Sequence, residues 1–590
     1  MPDDLDLLRR YEPVVRYNAG EMFFPASTAD FVQGCSLYRV GEDDPVEVAA
    51  RGTLTLDSLA ELGRHNVGDE LYLQQVSEPL SRTQYRAWRK RPDRVRFRSS
   101  SRFAAVGFLS RFIDTFMRFT LLLRGRVPGG YAGAAQIAYA ATDDHDKCFY
   151  YGRVLRDAGY VVLQYWFFYS MNDWRSDFGG VNDHESDWEQ VTVFLNEQTL
   201  EGAWVAFSSH DEVGDDLRRR WDDPDVEFVD GTHPVVYAGA GSHSGAYLKG
   251  EYLISAPLPL PGWLDSLRRT VLRVLPWRQV DDSGAIGIPY IDYKRGDGLT
   301  VGPQQQRPWQ AVMIDDSTDW VRDYRGLWGL DTKDIFGGER APAGPRYERN
   351  GTVRQSWAQP VAWAGLDKEA PTEEWARSDL STAHEYLVGK LSELDSELEL
   401  VREGLRASRA ADRSQGIPVR RPSARTVELA EQVKQLRRQQ LIIEQQIEGA
   451  DMGLDPLPLP TEDVHAHLSH RAMPMTQGDS LRSRLLRVWS AASASIFLAA
   501  LGILLLLDSG SLWWPLLAIA VAMLMVEAIL RGHLAALIVA LLVIAGMVFL
   551  VWAIWGLVFG NLRIGIGVIL LVIAAFLMVQ TIRDGVRSRS

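Results

Sequence analysis

The stretch VNDHESDWEQVTVFL, residues 181–195, sets one histidine and four acids at the head of a run of β-formers. A strand through Asp187–Val193 would alternate, with Asp187, Glu189, Val191 and Val193 on one face and Trp188, Gln190 and Thr192 on the other. Two carboxylates beside apolar neighbours repel each other, and burial raises the cost of both charges. A divalent cation would relieve both problems, and His184 can reach the same point from the preceding turn. Oxygen donors with one imidazole favour Mg2+, Ca2+ or Mn2+ over thiolate-seeking metals. A solvated acidic turn in front of a strand would account for the same residues without a metal.

Other residues able to do chemistry are few. His210 in SSHDE and His243 in GAGSHSG end two more predicted strands, where an imidazole can cap a turn by hydrogen bonding. Cys35 and Cys148 show no CxxC or Cys/His spacing, which argues against a thiolate zinc site and a disulfide scaffold. The glycines of AGAGSHSG precede no clear helix, so they do not read as a phosphate loop. No nucleophile elbow, paired metal cluster or cofactor fingerprint is visible. A binding role therefore ranks first, an oligomeric assembly role with a structural metal second and a metal-dependent hydrolase last. The balance leans away from an enzyme.

These residues need a scaffold. The chain has 590 residues, 46% hydrophobic and 24% charged, with room for several domains. YVVLQYWFFYSMND, WEQVTVFLN, GAWVAFSSH and HPVVYAGAGSH suit strands, and no regular βαβ alternation occurs. The pattern predicts a multidomain protein that opens with a β-sandwich-rich domain with helical insertions over 1–375. A coiled-coil helical hairpin over 376–450 follows, then a Pro-rich and basic linker over 451–487, four transmembrane helices over 488–582 and a basic tail over 583–590. In the hairpin, Leu387, Leu391, Leu394 and Leu398, then Leu429, Val433 and Leu436, repeat spacings of three and four, which predicts a homo-oligomer through the coiled coil and the spans. The net charge of −13 argues against a nucleic-acid partner.

The apolar stretches 488–507, 512–530, 534–559 and 562–582 each approach or exceed a bilayer-crossing length. Arg482, Arg484 and Arg487 precede the first, and Arg583, Arg587 and Arg589 follow the last. This asymmetry predicts an integral membrane protein with both termini and the soluble domain in the cytoplasm. The acidic start, MPDDLDLLRRYEP, lacks the apolar core of a signal peptide. Glu527 lies inside a span but near its end, so the spans read as an anchor. Residues 102–126 and 260–278 combine Trp, Phe and Leu with Arg at helical spacing. Either they pack on the core, or Trp263, Arg268, Arg269 and Arg273 meet anionic membrane lipid.

Several stretches resemble, in order, the vacuolar protein sorting-associated protein 62 family over about residues 8–365. They are LLRRYEPVVRYNAGEMFFPAS, YYGRVLRDAGYVVLQYWFFYSMND, HESDWEQVTVFL, SSHDE, THPVVYAGAGSHSGAY and YRGLWG with APAGPRY. The HxxDWE portion is also similar to the heptapeptide of the necrosis- and ethylene-inducing-like cytolysins. That second resemblance implies a β-sandwich with an acidic, metal-holding cavity for sphingolipid sugar heads. It implies a cation held by Asp173, His184, Asp187 and Glu189, with His210 and His243 lining the same cavity. A longer spacing between Asp173 and His184, and Glu185-Ser186 where the cytolysins carry Arg-His, make Asp177 a rival to Asp173. The expected function is recognition of a polar lipid head group or glycan at the cytoplasmic membrane face.

Overall fold

The computed structural model describes residues 3–41, 44–66, 68, 70–92, 97–98, 130–174, 183–209, 212–257, 287–330, 341–414, 424–451, 461–475, 481–506, 513–559, 566–567, 569–571, 573–574 and 578. Strands β1 to β8 are Val14–Arg16, Ser36–Arg39, Val46–Ala49, Leu71–Gln74, Cys148–Asp157, Tyr160–Asn172, His184–Asn196 and Gly202–Phe207. Strands β9 to β15 are Arg218–Arg220, Phe228–Val229, His233–Tyr237, Gly250–Pro257, Gly287–Lys294, Thr300–Val301 and Trp309–Met313.

The principal sheet has six strands in the order β15-β5-β6-β7-β8-β9, antiparallel except where β15 runs parallel to β5. Its centre is the long pair β6 and β7, in which every residue but Asn196 is buried. A strand covered on both faces has no polar side to show, which is why YVVLQYWFFYSMN is mostly apolar and interrupted only by Gln164, Ser170 and Asn172. Ala158 and Gly159, at φ +48° and +80°, form the two-residue turn from β5 to β6.

One face of this sheet packs on a second sheet of order β10-β11-β1-β14. Val161, Leu163, Tyr165, Phe167 and Tyr169 share a core with Val191, Val193, Val205 and Phe207, and with Val15, Val236 and Val301 of the second sheet. The opposite face is covered by tryptophans from two short helices, Asp319–Asp323 and Gln355–Ala358, and from the irregular chain at Trp328. Trp166, Phe168 and Trp188 meet Trp320, Trp328 and Trp357, together with Leu37, Leu71 and Leu73 of the small sheet β3-β2-β4. The pair β12 and β13 joins the site loop through the Ala240 N–H, which donates to the Tyr293 carbonyl (2.9 Å).

Helices Glu373–Ser414 and Ala424–Asp451 run antiparallel, with Leu391, Leu394 and Leu398 packed on Leu429 and Val433. Ion pairs Arg377–Asp451 (2.6 Å), His384–Glu444 (3.0 Å) and Arg437–Asp395 (2.7 Å) fix that direction. Both ends of this arm are held at β9. Arg218 reaches the Ala364 carbonyl (2.9 Å) and the Glu369 carboxylate on the way out, and Arg220 reaches the Thr461 carbonyl on the way back.

Residues 461–475, expected as linker, lie against the sandwich instead. His465 Nε2 donates to Asp223 Oδ1 (3.0 Å), Ser469 and His470 N–H groups donate to Asp216 (2.7 and 2.9 Å), and Arg471 pairs with both oxygens of Asp225. Met475 N–H then donates to the Glu251 carbonyl on β12 (2.7 Å).

Three further helices, Leu481–Leu506, Trp513–Arg531 and Leu534–Phe559, contain stretches long and apolar enough to cross a membrane, with mean hydropathy of 2.0, 2.0 and 3.0. The first begins earlier than position 488, because Arg482 closes the end of the second by donating to the Leu530 carbonyl (2.6 Å). Most of the expected fourth span, 562–582, lies outside the described residues, as do 102–126, Trp263, Arg268, Arg269, Arg273 and the tail 583–590. Glu527 is buried between Trp489 Nε1 (2.9 Å) and Arg531 Nε (2.6 Å), which suits a packing role within an anchor.

Candidate functional site

The register of β6 against β7 places Glu189 opposite Phe167 and Asp187 opposite Tyr169, so both carboxylates share the face that packs on the second sheet. Simple alternation would put Glu185 there as well. It does not hold, because Ser186 has φ +59° and breaks the pleat. Glu185 turns to the other side, where its carboxylate accepts from the backbone N–H groups of Gln75, Val76 and Leu330. Complete burial still pushes it up to about 7.

Asp187 is the organising carboxylate. Its Oδ2 accepts from Asn172 Nδ2 (3.1 Å) and from His243 Nδ1 (2.9 Å), and its Oδ1 from the Trp188 N–H (3.0 Å). His243 is 2% exposed and stacks on Tyr169, whose hydroxyl lies 2.8 Å from that of Tyr17. Burial pushes both phenols well above their ordinary value. With Nδ1 committed to Asp187, the other ring nitrogen of His243 has no hydrogen-bond partner among the described residues and points toward Glu21 Oε1 at 3.9 Å.

The loop carrying His243 is braced from two sides. Glu21 Oε2 accepts the Gly241 N–H (2.9 Å), and Asp173 N–H donates to the Gly241 carbonyl (3.0 Å). Gly241 sits at φ +70°, and a Cβ there would lie 2.3 Å from the Asp173 carbonyl oxygen. On the far side the buried Asp292 takes the hydroxyls of Ser242 (2.8 Å) and Ser244 (2.9 Å), the neighbours of His243. Lys294 Nζ stands 3.2 Å from the same carboxylate. These clamps hold His243 itself in the left-handed region at φ +56°.

Of the residues singled out from sequence, Asp173, His184, Asp187, Glu189 and His243 are all buried at this end of the sandwich. His184 Nδ1 lies 3.3 Å from the Glu185 carbonyl, and Glu189 accepts the hydroxyl of Ser208. His210 and Asp177 fall outside the described residues. The donor types of Asp173, His184, Asp187 and Glu189 suit a hard cation. Among the described residues, three such side chains with donor atoms within 4.8 Å of one another occur at Asp223, Asp225 and His465. That group is already compensated by Arg471 on Asp225 and by Arg219, 4.0 Å from both aspartates. Sequence reading missed Glu21, Asn172 and Asp292, which only the sheet packing brings to His243.

No family model matches the chain, and no curated protein matches it. The vacuolar resemblance therefore finds no support there. Solved structures do show similarity. A necrosis- and ethylene-inducing protein 2, from the causal agent of cocoa's witches' broom disease, is 27% identical over 18% of this chain and 48% of its own, with a TM-score of 0.15. NLPPya in complex with glucosamine is 21% identical over 18% and 48%, with a TM-score of 0.14. A structure described as a toxin fold for microbial attack and plant defense is 14% identical over 39% of this chain and 73% of its own, with a TM-score of 0.20. This chain spans about half the length of the first two proteins, and what it shares with them is a short stretch similar to necrosis- and ethylene-inducing proteins.

Proposed function

We propose that this protein is a membrane-anchored binding protein whose sandwich takes a polar, cation-bearing or polyhydroxylated ligand, such as an amino-sugar head group or glycan. The observation that carries the reading is the Asp187–His243 pair, with its unpartnered Nε2 facing Glu21. A buried polar atom without a partner is costly, and a ligand group bonded there would remove that cost. Asp173, Asp187, Glu189 and Glu21 make this end of the molecule acidic, which suits an ammonium or a row of hydroxyls. The apolar helices supply the anchor. A cytoplasmic orientation and self-association through the leucine hairpin and the spans belong to the same proposal, supported by the arginine distribution and the leucine seam.

A divalent cation (Mg2+, Ca2+ or Mn2+) held by Asp173, His184, Asp187 and Glu189 is part of this proposal, supported by the donor types that these residues bring to one end of the sandwich. In the metal-dependent hydrolytic alternative that cation would activate a water, and a histidine or carboxylate of the site would handle the proton. Calorimetric titration of the full chain in detergent with glucosamine, against glucose, tests the reading. Binding of glucosamine should weaken tenfold or more in both His243→Asn and Asp187→Asn, the loss of a buried charged hydrogen bond costing roughly 2 kcal/mol or more. Equal affinity in all three proteins would reject it.

A further inference from the structure

We infer that residues 461–475 form a latch that holds the His243 loop against the head groups of the membrane in which the protein's own helices sit. This rests on the membrane-anchored reading proposed above and adds where the site is aimed.

The latch is built from complementary pairs along its whole length. His465 lies between Asp223 (3.0 Å) and Asp225 (3.6 Å), Asp216 accepts from Ser469 and His470, and Arg471 forks onto Asp225. His467 donates to the Arg218 carbonyl (3.2 Å) and meets the Trp204 ring edge-on at 5.4 Å. Asp216, Asp223 and Asp225 are each less than one-tenth exposed. A linker with no docking role has no reason to satisfy three buried carboxylates of a domain it merely leaves.

The far end of the latch decides the placement. Met475 is bonded to β12 at Glu251 and packs with Ala240, Ile291 and Tyr293. Ala240 belongs to the loop that carries His243 and is tied to Tyr293 by its own N–H. Pro474 lies so close to Gly250 that a Cβ there would meet it at 2.2 Å. Only residues 476–480 separate this point from the first apolar helix at Leu481. An extended chain of that length reaches ~20 Å at most, so the base of β12 and β13 stands within that distance of the start of the first apolar helix. With the latch released, the whole of 452–480 would serve as tether, ~100 Å when extended, and the placement would be lost.

The surface at the base of β12 and β13 is therefore assigned to the lipid head groups of the same bilayer. A soluble glycan or a facing membrane is the alternative occupant. The test uses the full chain in phosphatidylcholine vesicles carrying an acceptor dye on a small fraction of head groups. A donor dye goes on Lys249→Cys, an exposed position beside β12, where Cys35 and Cys148, both buried, do not compete. Strong energy transfer is expected. It should fall by about half or more when a Gly/Ser insert of about 30 residues, ~30 Å in mean span, is placed within 476–480. It should fall likewise in Arg471→Ala/Asp216→Ala. Transfer that is weak in the parent, unchanged by both variants, or equally strong when the acceptor sits in a separate vesicle population overturns the proposal. The measurement needs no sugar. A chain that keeps its latch-dependent transfer yet ignores glucosamine would reject the ligand reading alone.

Discussion

The imidazole of His243 lies flat on the phenol of Tyr169, ring centroids 3.8 Å apart and planes 4° from parallel. Tyr169 is fixed by its hydrogen bond to Tyr17, and the edge of the imidazole by Asp187. Stacking sets the plane of the ring, and the carboxylate sets its rotation within that plane. The unbonded nitrogen is left with one direction in which to act.

Removing the carboxylate should therefore cost both order and binding. Asp187→Ala strands the Nδ1–H of His243 in a buried site, at about 1–3 kcal/mol. The expected result is a lower melting temperature in detergent together with at least tenfold weaker glucosamine binding, read by calorimetry. Tyr169→Phe keeps the stack and loses only the bond to Tyr17, so a fall of about 1 kcal/mol with binding retained is expected.

Glu185 should make stability depend on pH in the sense opposite to a salt-bridged acid. Burial raises it from 4.5 to about 7 in the fold, so between these values the folded chain holds a proton that the unfolded chain has released. Stability is then greatest near the lower value, falls as pH rises through this window and levels off above it, by up to about 3 kcal/mol. Glu185→Gln should flatten that slope in denaturation curves taken at several pH values.

Gly241 tests the bracing of the loop. Gly241→Ala places a Cβ 2.3 Å from the Asp173 carbonyl oxygen, at a backbone angle of +70°. Displacement of the loop and a loss of roughly 1–3 kcal/mol are expected. The check is a paired measurement, thermal melting for the strain and calorimetry for the ligand.

For the cation, elemental analysis of the purified protein should find about one divalent ion per chain, and excess EDTA should lower the melting temperature. Asp187→Ala should lose the ion. Asp177→Ala should keep it if Asp173 is the ligand, and the reverse outcome would move the site.

In the apolar helices, Glu527→Ala and Arg531→Ala each break the pair that also engages Trp489. The two losses in detergent stability should add to less than their sum in the double variant, because each removes the same interaction. Full additivity would show that the pair does not couple.

The face shared by Asp187 and Glu189 was legible because a strand has period two and its apolar residues declare the inner side. Glu185 was not, since nothing in the type of Ser186 announces a left-handed backbone. The apolar seam from Leu391 to Val433 could be read directly from its three-and-four spacing. Glu21, by contrast, shares no spacing with His243; the second sheet delivers it. Residues 461–475 read as a linker because their Asp216, Asp223 and Asp225 partners lie in a distant acidic stretch, and pairing of that kind leaves no periodic trace. His210, Asp177 and the arginines of 260–278 stand outside the described residues.

Two arginines of β9, at positions 218 and 220, carry a practical corollary. Arg218 holds the chain as it leaves for the leucine arm, and Arg220 holds it as it returns, so the arm begins and ends at one spot on the sheet. Its length is thus free of the sandwich's threading. The arm could be shortened by whole heptads, or exchanged for another antiparallel pair, without moving either attachment point. The connection between its two helices is accordingly the place to graft a reporter or an affinity handle.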